Sequence, residues 1–159
     1  MSDARTYPHG VPCWVDTQQP DPEAAAHFYA ELFGWTFHDA VPAEAPGSYL
    51  IATLGGSDVA AVASASDQPT AWNTYIAVDD ADAAALVVDR HGGTVISAPR
   101  DAGLGGRMAV CTDPDGATFR LWQADGRLGA QLVNAAGTWN FSDLHSEDPV
   151  AGVAFYALS

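Results

Sequence analysis

A chain of 159 residues, 48% of them hydrophobic, has enough apolar material for one compact domain or for two small units sharing a core. Its formal charge of −14 comes from 20 acidic residues against 6 basic ones, all Arg, which argues against nucleic acid and anionic membrane as partners and favours cationic ones. Acidity of this kind also serves plain solubility.

In chain order, residues 1–11 read as an N-terminal arm: MSDARTYPHG has no apolar segment, and no later run is long enough to cross a bilayer, so a cytoplasmic protein is expected. PCWVDTQQ is strand-like. Asp21 then stands as N-cap with Pro22 at the first helical position, and AAAHFYAELF continues the helix, with Phe28, Leu32, Tyr29 and Phe33 as its apolar stripe and Gly34 as its stop. WTFHDA, SYLIATL and SDVAAVA supply three strands, the last two separated by Gly55 and Gly56. After the polar break SASDQPT the same order returns. NTYIAVDD is a strand, Asp80 caps the helix ADAAALVVDRH, and Gly92 with Gly93 stops it; GTVISAPRDA, GRMAVCTD and ATFRLWQ follow as strands, with Asp113 to Gly116 turning the last two into a hairpin.

A slide of 59 residues superimposes the two halves, pairing Asp21 with Asp80, Ala24–Ala26 with Ala83–Ala85 and Gly34 with Gly93. A slide of 127 uncovers a third beginning: Asp16, Asp21, Pro22, Phe28 and Tyr29 return as Asp143, Asp148, Pro149, Phe155 and Tyr156. The layout is therefore an arm (1–11), a βαβββ module (12–66), a second (71–124), a linker (125–137) and a partial third module (138–159), with a strand over TWNFSDLHS and a short helix. That last piece is either a truncated continuation or an assembly arm. Cys13 and Cys111 lie far apart without CxxC spacing, so neither a disulfide framework nor a zinc set is indicated.

WVDTQQPDPEAAAHFYAELFGW, YLIATLGG, YIAVDDADAAALVVDRHGG and DPDGATFRLWQ resemble the glyoxalase, bleomycin-resistance and extradiol-dioxygenase (vicinal oxygen chelate) superfamily, and within it actinobacterial tandem-domain proteins of glyoxalase-like or hydroxylase-like type. The resemblance implies an α+β fold of paired βαβββ modules whose curled mixed sheets form a ligand cavity. It also implies a metal site of His and Glu on the first and last strands of each module. The matching positions here are Trp14, Asn73, about Val62, and Arg120. An indole and an alkyl group offer no lone pair and a guanidinium is cationic, so no cofactor is predicted, with a divalent metal as the alternative. The five histidines, His9, His27, His38, His91 and His145, show no ligand spacing; His38 is the one whose strand could border the cavity.

Strand alternation then fills the cavity with Trp14, Asp16 and Gln18 from the first module and with Asn73, Tyr75, Thr118, Arg120 and Trp122 from the second. Arg120 is expected to meet a carboxylate, Asp16 by preference, or a ligand's anionic group, unless it reaches solvent at an open rim. The tryptophans read equally as plain core. Three function classes stay open. One is a metal-free protein that binds a small molecule and sequesters a cationic or aromatic metabolite or antibiotic. Another is a glyoxalase-like lyase, dioxygenase or hydroxylase on a carbonyl or natural-product substrate, with Asp16 as base and Arg120 as clamp. The last is an assembly module acting through its C-terminal arm. A homodimer is the default expectation from the resemblance.

Overall fold

The computed structural model describes residues 4–65, 69–103 and 105–157. The chain forms two compact units. One comprises Trp14–Asn73 with Ala130–Phe141, and the other gathers Thr74–Gly129 with the N-terminal residues up to Cys13 and those from Ser142 on.

The first unit carries β1 (Pro12–Gln19), α1 (Pro22–Phe33), β2 (Thr36–Asp39), β3 (Tyr49–Leu54) and β4 (Ser57–Ser64), which is the expected βαβββ order. Its strands lie in the order β2-β3-β4-β1; β4 runs antiparallel to β3 and parallel to β1, with Asp16 opposite Ala61 and Thr17 opposite Val62. The plan repeats with β5 (Ala71–Ala77), of which Thr74 onward belongs to the second unit, α2 (Ala81–Arg90), β6 (Thr94–Asp101), β7 (Gly106–Thr112) and β8 (Thr118–Ala124), and that unit adds α3 (Pro149–Tyr156). Here the order is β5-β8-β7-β6, with Tyr75 directly opposite Arg120 in the parallel pair.

All three helices begin as their sequences dictate. Asp21, Asp80 and Asp148 each accept the backbone N–H three residues on, at 2.9, 2.9 and 3.0 Å, satisfying a donor that the helix leaves orphaned. Gly34 ends α1 at φ 73°, donating its N–H to the Ala30 carbonyl. The stripe on α1 is narrower than its sequence suggests. Tyr29 and Phe33 stack inward with Trp35, whereas Phe28 and Leu32, about 100° round the helix, face out and are more than half exposed.

Each unit has its own apolar core. Val15, Trp35, Ala52, Val59 and Ala60 make the first, and the Trp35 indole N–H is satisfied by the Gly137 carbonyl at 2.7 Å. In the second, Ala81, Ala85 and Val88 of α2 pack on Ala109, Cys111, Phe119 and Leu121, and Phe155 of α3 joins the same cluster. Burial pushes the Cys13 thiol up to about 12 and the Cys111 thiol up to about 11, so both stay protonated and act as small hydrophobes.

The strand expected over TWNFSDLHS does not form. No strand occurs between β8 and α3, because an extended segment with no neighbour offering a ladder gains no cross-strand bonds. The side chains hold this stretch instead: Thr74 Oγ1 and Ser142 Oγ share a hydrogen bond at 2.8 Å, Ser146 bonds Asp115, and Tyr156 donates to Asp113 at 3.2 Å. Residue 66, where the first module was expected to end, lies outside the described residues, as do 67 and 68 of the polar break and Leu158 and Ser159.

Candidate functional site

In the first unit the site residues sit on the face of the sheet opposite α1. Val15, Ala60 and Ala52 share the helix side, which leaves Trp14, Asp16 and Gln18 on the other. Asp16 is 0% exposed, and each of its oxygens accepts a hydrogen bond: Oδ1 from Asn73 Nδ2 at 2.8 Å and Oδ2 from the Tyr49 hydroxyl at 3.0 Å. Tyr49 in turn accepts the Trp14 indole N–H at 2.9 Å. Trp14 and Asn73 are both buried, and Gln18 is half-buried. Within this unit Asp16 thus accepts hydrogen bonds from two neutral side chains, as a buried polar group requires.

Tyr49 is the member that sequence reasoning missed. It opens β3 opposite Ala63, which also faces Gln18, so its side belongs to the Asp16 face. Alternation along SYLIATL offers that placement only once the β3–β4 register is known. The register also moves the fourth family position: Val62 lies opposite Thr17 on the helix side, and Ala61 is the residue facing with Asp16. Ala61 has no lone pair either.

In the second unit Phe119 and Leu121 face α2, so Arg120 and Trp122 point to the opposite face with Tyr75. Arg120 is 9% exposed; its Nη1 donates to the Tyr75 hydroxyl at 2.8 Å, its Cζ lies 5.3 Å from the Tyr75 ring centre, and Met108 Sδ is 4.0 Å from Nη1. A guanidinium against an aromatic ring and a phenol is partly repaid for lost water. Burial at this level removes the reading in which Arg120 reaches solvent at an open rim. Trp122 meets Tyr75 edge-on at 6.2 Å, is half-buried, and donates its indole N–H to the Arg127 carbonyl at 2.8 Å. Gly105 and Gly106 make room for it, since a Cβ at either would stand 3.1 Å from the indole. Thr118 lies instead at the exposed start of β8, away from this cluster.

The residues present do not fit the metal that the fold family implies. Trp14 donates rather than coordinates, Asn73 turns its amide N–H₂ to Asp16, Ala61 is apolar and Arg120 is cationic. Among the described residues no three His, Cys, Asp or Glu side chains come together to hold an ion. His38 shares its cross-strand row with Ile51, Ala61 and Asp16, but three strand spacings separate it from Asp16, about 14 Å, and it is exposed. The other histidines take local roles: His91 Nδ1 meets the Val87 carbonyl at 2.8 Å, His27 lies 3.4 Å from Glu31, His145 is 2.9 Å from Asp143, and His9 Nδ1 accepts the Asp79 N–H.

Comparison with known proteins adds three findings. A family model described as Glyoxalase/Bleomycin resistance protein/Dioxygenase superfamily matches residues 14–121. Among curated relatives, CFP32 of Mycobacterium tuberculosis, a glyoxylase by name, is 44% identical over 155 residues, covering 94% of this chain and 59% of the relative. The anthracycline biosynthesis protein DnrV of Streptomyces peucetius is 37% identical over 163 residues, covering 92% of this chain and 59% of its own. The chain therefore spans about three-fifths of the length of these relatives. Among solved structures, methylmalonyl-CoA epimerase of Streptomyces coelicolor, in complex with 2-nitronate-propionyl-CoA, aligns with a TM-score of 0.55 at 16% identity over 75% of this chain and 97% of that one. The Mycobacterium tuberculosis epimerase aligns at 0.53 and 14%, over 72% and 87%. At such identities the structures establish the fold alone. No helix among the described residues is long and apolar enough to cross a membrane.

Proposed function

Because this chain belongs to the glyoxalase/bleomycin resistance protein/dioxygenase superfamily, we propose that it binds a small molecule without a metal, sequestering a cationic or aromatic metabolite or antibiotic. The observation that carries this reading is the donor set at the family's metal positions, where an indole, a carboxamide, a methyl and a guanidinium stand. Trp122 keeps partial exposure and is the ligand's first contact, with Tyr75 behind it. The net charge of −14 favours a cation. A homodimer, as expected from the resemblance, belongs to the same proposal and is tested by sedimentation of the full chain.

A glyoxalase-like lyase is the second reading, favoured by the 44% identity to a relative named as a glyoxylase. It requires a base that reaches substrate. Asp16, the carboxylate available on that face, has no exposed surface and holds two donors already, which supports a structural role for it over catalysis.

Elemental analysis with thermal shifts in nickel, zinc, iron and manganese separates the two. A stoichiometric metal, or a stabilisation of several degrees by one ion, returns the lyase to first place. With no such shift, Trp122→Ala should weaken an aromatic cation tenfold or more while the protein stays folded.

A further inference from the structure

A hollow in the second unit lies on the face of β5 and β8 away from Arg120 and Trp122. Ile76, Phe119 and Leu121 form its floor, Val87 of α2 one wall, and Leu144 and Val153 of the C-terminal segment the other, around a cleft of about 1180 Å³. That is just above the usual range for a small-molecule site, roughly 300–1,000 Å³. Val87, Leu144 and Val153 are exposed in it, Val153 by 72%. The segment forming the second wall is anchored at both ends, by Ser142 on Thr74 and by Tyr156 on Asp113.

Every full charge lining the cleft is negative. Asp79, Asp143 and Glu147 are exposed at its mouth, Asp80 caps α2 beside them, and among the described residues no Arg lines it. Two histidines sit among these acids, His9 beside Asp79 and His145 beside Asp143. An apolar floor beneath an acidic mouth is complementary to one ligand chemistry, an apolar or aromatic body carrying an amine. A second copy of the chain suits it poorly, since each copy would bring the same acids and a charge of −14.

We propose that this cleft is a second binding site, distinct from the Trp122 face, for an amphiphilic organic cation. The apolar body lies between Val87 and Val153, and the ammonium sits at the mouth among Asp79, Asp143 and Glu147. The proposal stands apart from the function inferred above, because the two sets of side chains leave β5 and β8 on opposite faces.

Three ligands with one ring system test it on the full chain: 9-aminoacridine as cation, acridine as the neutral form and acridine-9-carboxylate as anion, at pH 8, above the ordinary histidine range. Methyl NMR reports the place and fluorescence titration the affinity. The cation should shift the methyls of Ile76, Val87 and Val153, and bind at least tenfold tighter than acridine at low salt. Val153→Arg should abolish its binding, and Asp143→Asn with Glu147→Gln should cut the preference below threefold. Equal affinity for cation and neutral form overturns the ligand class. Shifts confined to the Met108 methyl, beside Arg120, place the probe at the other site and overturn the cleft. Concentration-dependent shifts of the cleft methyls without ligand make a second copy the occupant and overturn the proposal.

Discussion

The Tyr49 hydroxyl donates to Asp16 Oδ2 at 3.0 Å while accepting the Trp14 indole N–H, so one phenol satisfies two buried groups. Removing that oxygen takes one hydrogen bond from the Asp16 carboxyl and one from the Trp14 indole N–H, in a place where Asp16 has no access to water. Tyr49→Phe should therefore destabilise the fold by about 1–3 kcal/mol. Urea unfolding measures it. A loss below about 0.5 kcal/mol would mean that water replaces the hydroxyl and that the network is open.

Asp16 and Arg120, expected from the sequence to pair, belong to different units, and a double-variant cycle decides whether they couple. Asp16→Asn and Arg120→Met should each cost about 3–5 kcal/mol if each strips the other of its counter-charge in a buried setting. The double variant should then cost less than the sum, with a coupling of at least about 1 kcal/mol. Additive losses would leave Asp16 with Tyr49 and Asn73 as its working partners, and Arg120 with Tyr75.

Tyr156 gives α3 a dependence on alkali. Burial pushes its phenol well above the ordinary tyrosine value, and the nearby Asp113 carboxylate, which accepts its hydroxyl, pushes the same way. A group whose folded value exceeds its unfolded one, about 10, contributes in full below pH 10 and loses that contribution as pH rises further. Stability should therefore fall above pH 10 more steeply in the wild type than in Tyr156→Phe. Parallel slopes in pH-dependent urea melts would show that α3 is not held by the neutral phenol.

Much of this fold was legible because its signals are local. Asp21, Asp80 and Asp148 announce helix starts through one short side-chain bond each, and a shift of 59 residues exposes the module repeat without any tertiary knowledge. The polar faces of β1 and β8 followed from alternation alone, which placed Trp14 with Asp16 and Arg120 with Trp122. Partners across strands were not legible in that way. Tyr49 depends on the β3–β4 register and Val62 on the β1–β4 register, where a slip of one residue exchanges faces. The C-terminal segment failed for a related reason, since TWNFSDLHS has strand composition but finds no edge to join, and composition does not encode a neighbour.

Gly92 and Gly93 look interchangeable in the sequence, yet they are required for different reasons. Gly92 adopts φ 87°, with only Pro114 at 3.8 Å from a would-be Cβ, so its constraint is backbone conformation. Gly93 has no such φ, but a Cβ there would stand 2.7 Å from both the Thr112 carbonyl and Val88 Cγ1, and 3.1 Å from Phe155. Its constraint is space, at the meeting point of α2, β7 and α3. Asparagine tolerates the left-handed region, so Gly92→Asn should cost under about 1 kcal/mol. Gly93→Ala must push β7 or α3 aside and should cost about 1–3 kcal/mol. Phe155 should be displaced first, since the other two neighbours belong to the sheet and to α2. Thermal melts give the ranking, and limited proteolysis near α3 reports the displacement. If Gly93→Ala melts like wild type, α3 yields without cost and does not brace the core of the second unit.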